Sequence, residues 1–97
     1  MSQEPQDKIR GVVTDNVPLI RALIDAFFFL ESAGPDEVDP DSAVRCMEDM
    51  ASRLLTLSQD DQLALRAYLE RFENNDSDSA YTDFVRAISD DIGLATP

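Results

Sequence analysis

Between Ser79 and Ile92, apolar side chains return at Tyr81, Phe84, Val85, Ile88 and Ile92. Intervals of three and four residues put them on one side of an α-helix, which turns ~100° per residue. The same spacing recurs at Leu65, Tyr68, Leu69 and Phe72. No segment alternates apolar and polar residues with the period of two that a half-buried strand requires. The chain is therefore expected to be all-α. Turn chemistry divides it into four helices, at about 16–32, 40–56, 59–74 and 79–92. Its 97 residues suffice for one small domain, 1–97, with residues 1–8 and 94–97 expected to be flexible. Short connections between sequential helices predict an up-and-down bundle or a close relative.

The punctuation is local chemistry. Asp39-Pro40 supplies an N-cap oxygen and a first-turn proline with no N–H to lose. Ser58 with Asp61 three residues later is an aspartate version of the capping box. Asp15 is placed to cap the first helix, with Pro18 in its first turn, and Ala33-Gly34-Pro35 to end it, Gly34 taking the left-handed C′ position. Gly93 stops the last helix in the same way. Upstream of the first helix, Ile9, Val12 and Val13 suggest a further turn, or a helix continued through a kink at Pro18.

The helices differ in how much of their circumference is apolar. In the first, Val17, Ile20, Leu23, Ile24, Phe27 and Phe28 share a face, flanked by Leu19, Ala26 and Leu30, which makes it the natural central element. In the second, apolar positions from Ala43 to Leu57 spread over about half the surface, as expected of a helix touching two neighbours. Cys46 lies at the edge of that stripe and reads as a small buried hydrophobe; Met47 and Met50 read as core filler. The Phe27-Phe28-Phe29 run cannot all face one core, since three successive positions diverge by ~100° each. Phe29 is then either covered by the N-terminal turn or another helix, or exposed as an aromatic anchor for a partner or a second copy.

Composition excludes several chemistries. The chain has no His and one Cys, so His-based metal sites, Ser-His or Cys-His nucleophiles, intrachain disulfides and thiolate zinc clusters are ruled out. Asp60-Asp61 and Asp90-Asp91 are adjacent on helices, so each pair diverges and makes no shared acid–base site. The run Asn74, Asp76, Asp78 resembles the start of a calcium loop, but Ser79 and Val85 stand where the glycine and the glutamate are needed. No enzyme, metal or cofactor is expected.

Eight Lys and Arg against twenty Asp and Glu give a net charge of -12. Such a surface repels phosphates, so neither nucleic acid nor an anionic membrane is an expected partner. A helix-turn-helix reading of residues 58–72 fails for the same reason, because the recognition helix would open on Asp60-Asp61. The longest apolar run, Ala26–Leu30, falls far short of the ~20 residues that span a bilayer. With an acidic, polar start at Met1–Pro5 and a lone Cys46, the protein is expected in the cytoplasm.

The acids are unevenly placed. Residues 1–34 carry five acids and three bases, and residues 35–97 fifteen and five. Many of the latter sit at helix starts, where they cap N–H groups and complement the helix dipole. Capping fixes their positions without cancelling their long-range field, which favours and accelerates encounter with a basic partner. Asp36, Glu37, Asp39, Asp41, Asp60 and Asp61, with Phe29, are the candidate partner-binding residues. Among the few bases, Arg66 can pair with Glu70 and Arg53 with Asp49 at i,i+4 spacing. The expected function is a small acidic interaction module, an inhibitor or immunity-type protein that binds and neutralises a basic toxin or nuclease-like partner. The alternative is a homo-oligomeric structural or accessory subunit, a homodimer held by the first helix.

Overall fold

A computed structural model describes residues 13, 15–73 and 79–97. The described residues form four helices: α1 (Val17–Ser32), α2 (Pro40–Leu54), α3 (Gln59–Glu70) and α4 (Ser79–Ile92). The expected all-helical bundle is present. α4 packs most closely on α3 and also meets α1 and α2, while α2 rests on α1 and α4. The wide apolar sector of α2 thus serves two neighbours.

Two caps form as the sequence requires. Asp39 Oδ2 accepts from the Ser42 backbone N–H at 3.0 Å, and Ser58 Oγ accepts from that of Asp61 at 3.1 Å. The first helix differs. Its N-cap is Asn16 rather than Asp15, with Pro18 in the first turn of a helix that opens at Val17. At its other end, Gly34 is not left-handed; Ala33 leaves the helix in an extended conformation, and the Gly34 N–H donates to Glu37 Oε1 at 2.9 Å. Gly93 does take the left-handed cap, at φ 90°. α2 stops at Leu54 rather than 56, where Thr56 turns its hydroxyl onto the Arg53 carbonyl. α3 stops at Glu70 rather than 74, with Arg71 as C-cap.

The core joins Ile20, Ile24 and Phe27 of α1 to Leu65 and Leu69 of α3 and to Val85, Ile88 and Ile92 of α4. Phe72 and Leu94 close it at the helix ends. The phenylalanine run divides as its geometry demands. Phe27 enters the core, Phe28 makes edge-to-face contacts with Tyr81 (5.2 Å) and Phe84 (5.3 Å), and Phe29 points out, 52% exposed. Val13 packs on the core; Ile9 and Val12 lie outside the described residues, as do residues 1–8 and 74–78. Cys46 is exposed, contrary to the expectation of burial, because α2 is covered on only part of its wide apolar sector.

After Gly93 the chain is placed against the bundle at Leu94 and Ala95. Leu94 is buried, its carbonyl accepts from Arg66 Nη2 at 2.9 Å, and the Ala95 carbonyl accepts from Arg66 Nε at 2.9 Å. The Ala95 N–H donates to Gln62 Oε1 at 3.0 Å. The chain after Gly93 therefore folds back along α3. Arg66, itself buried, also donates to Glu70 (2.8 Å) and Asp90 (3.0 Å), holding α3, α4 and the tail with one guanidinium. The expected Arg66–Glu70 pair is present; no Asp49–Arg53 ion pair forms among the described residues.

Candidate functional site

The acidic positions expected to bind a partner do not form one patch. Asp36, Glu37, Asp39 and Asp41 lie at and just before the start of α2, whereas Asp60 and Asp61 open α3 beyond its far end. The 15 residues of α2 separate the two groups by about 22 Å at ~1.5 Å per residue. Two members are engaged locally: Glu37 holds the Gly34 N–H, and Asp39 holds both the N–H and the hydroxyl of Ser42. Asp36, Asp41 and Asp60 are exposed. Phe29 lies one turn from the end of α1, so it belongs to the Asp36–Asp41 end of the bundle.

A different place combines apolar surface with negative charge. Where α2 rests against α1 and α4, the helices leave a groove of about 220 Å³. Its floor is Phe27, Ile88 and Ile92 from the core, and its walls are Val44, Met47 and Ala51 of α2 and Phe84 of α4. Glu31 of α1, Glu48 of α2 and Asp91 of α4 line it as well, all three exposed, and no Lys or Arg does. Each helix contributes by simple periodicity. On α2 the lining residues fall at 44, 47, 48 and 51, and on α4 at 84, 88, 91 and 92. The carboxylates therefore sit at i+3 or i+4 from an apolar lining residue of their own helix. That is the signal in the sequence: an acid at a position of the apolar stripe. It carries meaning only once α2 and α4 are known to lie side by side.

A second hollow of about 380 Å³, between α1 and α3, holds Arg21 and Arg71 beside Tyr68 and Phe72. The Arg21 guanidinium lies over the Phe72 ring at 5.0 Å. Nearby, Tyr81 donates its phenol to Asp25 Oδ1 at 2.6 Å, and burial together with this bond raises the Tyr81 pKa above the ordinary phenol value.

Among the described residues no three His, Cys, Asp or Glu side chains converge on a metal position. No helix among them is long and apolar enough to cross a membrane. What the groove can do chemically is take up apolar side chains while its carboxylates face cations. No family model, no curated protein and no solved structure matches the chain.

Proposed function

We propose that this chain is a non-enzymatic interaction module of the cytoplasm that binds a basic protein partner and neutralises it, as an inhibitor or immunity-type protein does with a toxin or nuclease-like activity. The observation that supports this reading is how little of its negative charge is consumed internally. The net charge is -12, yet ion pairs among the described residues join only Arg66 to Glu70 and Asp90. Carboxylates left facing water raise the encounter rate with a cationic surface and fall off in effect with salt, over a Debye length of ~10 Å at 0.1 M. The test is affinity capture from the source cell at low and moderate salt, followed by binding measurements with the purified partner. A stoichiometric basic protein whose affinity falls steeply with salt is expected, and inhibition of its activity by the acidic chain completes the case. Recovery of the bait alone, or of a partner indifferent to salt, refutes the reading.

One observation favours homo-oligomerisation as a second reading. Leu19, Ala22, Ala26 and Phe29 are all exposed and follow one another at intervals of three, four and three along α1. That spacing is the seam of a helix pair. The Phe29→Glu variant tests it: an unchanged molar mass in solution excludes this face as a self-interface.

A further inference from the structure

We propose that the groove between α2 and α4 receives the apolar face of a basic amphipathic helix, presented by the partner proposed above. The inference rests on the basic-partner reading and assigns it a place and a mode of recognition.

Three observations carry it. The groove is apolar at its base and acidic along its edges, with Glu31, Glu48 and Asp91 each from a different helix and no cationic side chain among them. The charge complement of such an edge is Lys or Arg flanking an apolar stripe. The length of the walls sets the shape of the occupant. Val44 to Ala51 and Phe84 to Ile92 each cover about two helical turns, roughly 10–12 Å at ~1.5 Å per residue. A helix offers anchors over that distance at i, i+3 or i+4, and i+7. An extended strand would have no sheet edge to pair with, because the described residues contain no strand and the groove walls are helices whose backbone bonds are internal. Finally, Val44 is 50% exposed at the mouth although its neighbours on the stripe are partly covered. It is the apolar wall still open to a guest.

The probe is a synthetic 15-residue amphipathic peptide, with Leu at i, i+4 and i+7 and Lys or Arg on both flanks. A scrambled peptide of identical composition and charge is its control. Binding is followed by methyl NMR at Val44, Met47, Ala51, Ile88 and Ile92. The patterned peptide should saturate these methyl shifts at one-to-one stoichiometry and bind at least about tenfold tighter than the scramble. The rim variant Glu31→Gln/Glu48→Gln/Asp91→Asn should weaken it by about tenfold or more. A variant neutralised elsewhere, Asp36→Asn/Asp41→Asn/Asp60→Asn, changes the net charge equally and should weaken it several-fold less. All six positions are exposed, so both variants should retain the fold, which circular dichroism checks. Equal binding of the two peptides, or equal losses from the two triple variants, overturns the groove while leaving the basic-partner reading intact. Methyl shifts that change with protein concentration alone assign the groove to a second copy and overturn the proposal. Failure of both peptides to bind at low salt overturns the groove as a docking site, while the basic-partner reading is decided by the capture experiment.

Discussion

Ser89 should be worth less to the fold than alanine. It is 1% exposed on the inner face of α4, and its hydroxyl has no hydrogen-bond partner among the described residues. A buried hydroxyl that has surrendered water without gaining a partner costs about 1–3 kcal/mol. Ser89→Ala removes that cost. It also places a better helix former at the site, worth up to about 0.5 kcal/mol. Against this stands the void left by one oxygen atom, smaller than the methyl-sized cavity that costs ~1 kcal/mol. The backbone role of the position is untouched, because the Ser89 carbonyl still accepts from the N–H groups of Gly93 (3.0 Å) and Leu94 (3.1 Å). The balance is a gain of about 1 kcal/mol, or a rise of about 4–8 °C in Tm for a domain of this size. Urea denaturation with both proteins fitted to a common m-value measures it, with Val85→Ala as the control. Val85 is fully buried and apolar, and its truncation should cost about 2 kcal/mol. A Ser89→Ala protein less stable than the parent by 0.5 kcal/mol or more, an order-of-magnitude threshold for a real loss, would refute the reasoning and show that the hydroxyl is paired in solution.

Arg66→Met keeps the buried stem and deletes the guanidinium. Thermal unfolding should fall well below that of Glu70→Gln or Asp90→Asn, whose carboxylates are 49% and 82% exposed, and the Ala95 amide should lose hydrogen-exchange protection. Tyr81→Phe loses the bond to Asp25 and should cost about 1 kcal/mol by chemical denaturation. Because the folded state raises the Tyr81 pKa above the ordinary phenol value of 10.0, the associated stability is fully present below that value and is lost as pH rises through the folded pKa. Ultraviolet titration of the phenols should therefore show one tyrosine ionising late, and Tyr81→Phe should abolish that late step. Gly93→Ala should cost about 1 kcal/mol through backbone strain alone, since φ is 90° and an added Cβ meets no atom within 4 Å. A loss much larger than that would show a hidden clash.

Where the controlling interactions are local, the fold was legible from the residues. Asp39 and Ser58 cap because the acceptor and the N–H it serves are three residues apart. The stripe Tyr81, Val85, Ile88 and Ile92 is buried because helical periodicity admits one inner face. Arg66 and Glu70 meet for the same reason. What escaped depends on distant segments. The placement of Leu94 and Ala95 depends on an arginine 28 and 29 residues away, and nothing in the tail itself announces it. Cys46 looks buried by its neighbours in sequence but faces water because no element covers that flank of α2. The candidate site divides in the same way. Charge density drew attention to the helix starts, where aspartates serve as caps, and away from Glu31, Glu48 and Asp91, which lie far from one another in sequence and meet only when three helices assemble.

The two walls of the groove are not equally firm. α4 buries Tyr81, Val85, Ile88, Ser89 and Ile92, whereas the buried residue of α2 is Ala43. A helix anchored by one methyl group and by partly covered methionines opens at a lower free energy than the rest of the domain. Its amides should exchange before those of α3 and α4, and a guest that spans the groove should slow them selectively. Such a wall can tilt to admit side chains of different bulk, while α4 keeps the register. For the proposed guest, discrimination would come from the pattern of charge at the edge more than from a fixed shape, and part of the binding energy would go into quieting α2.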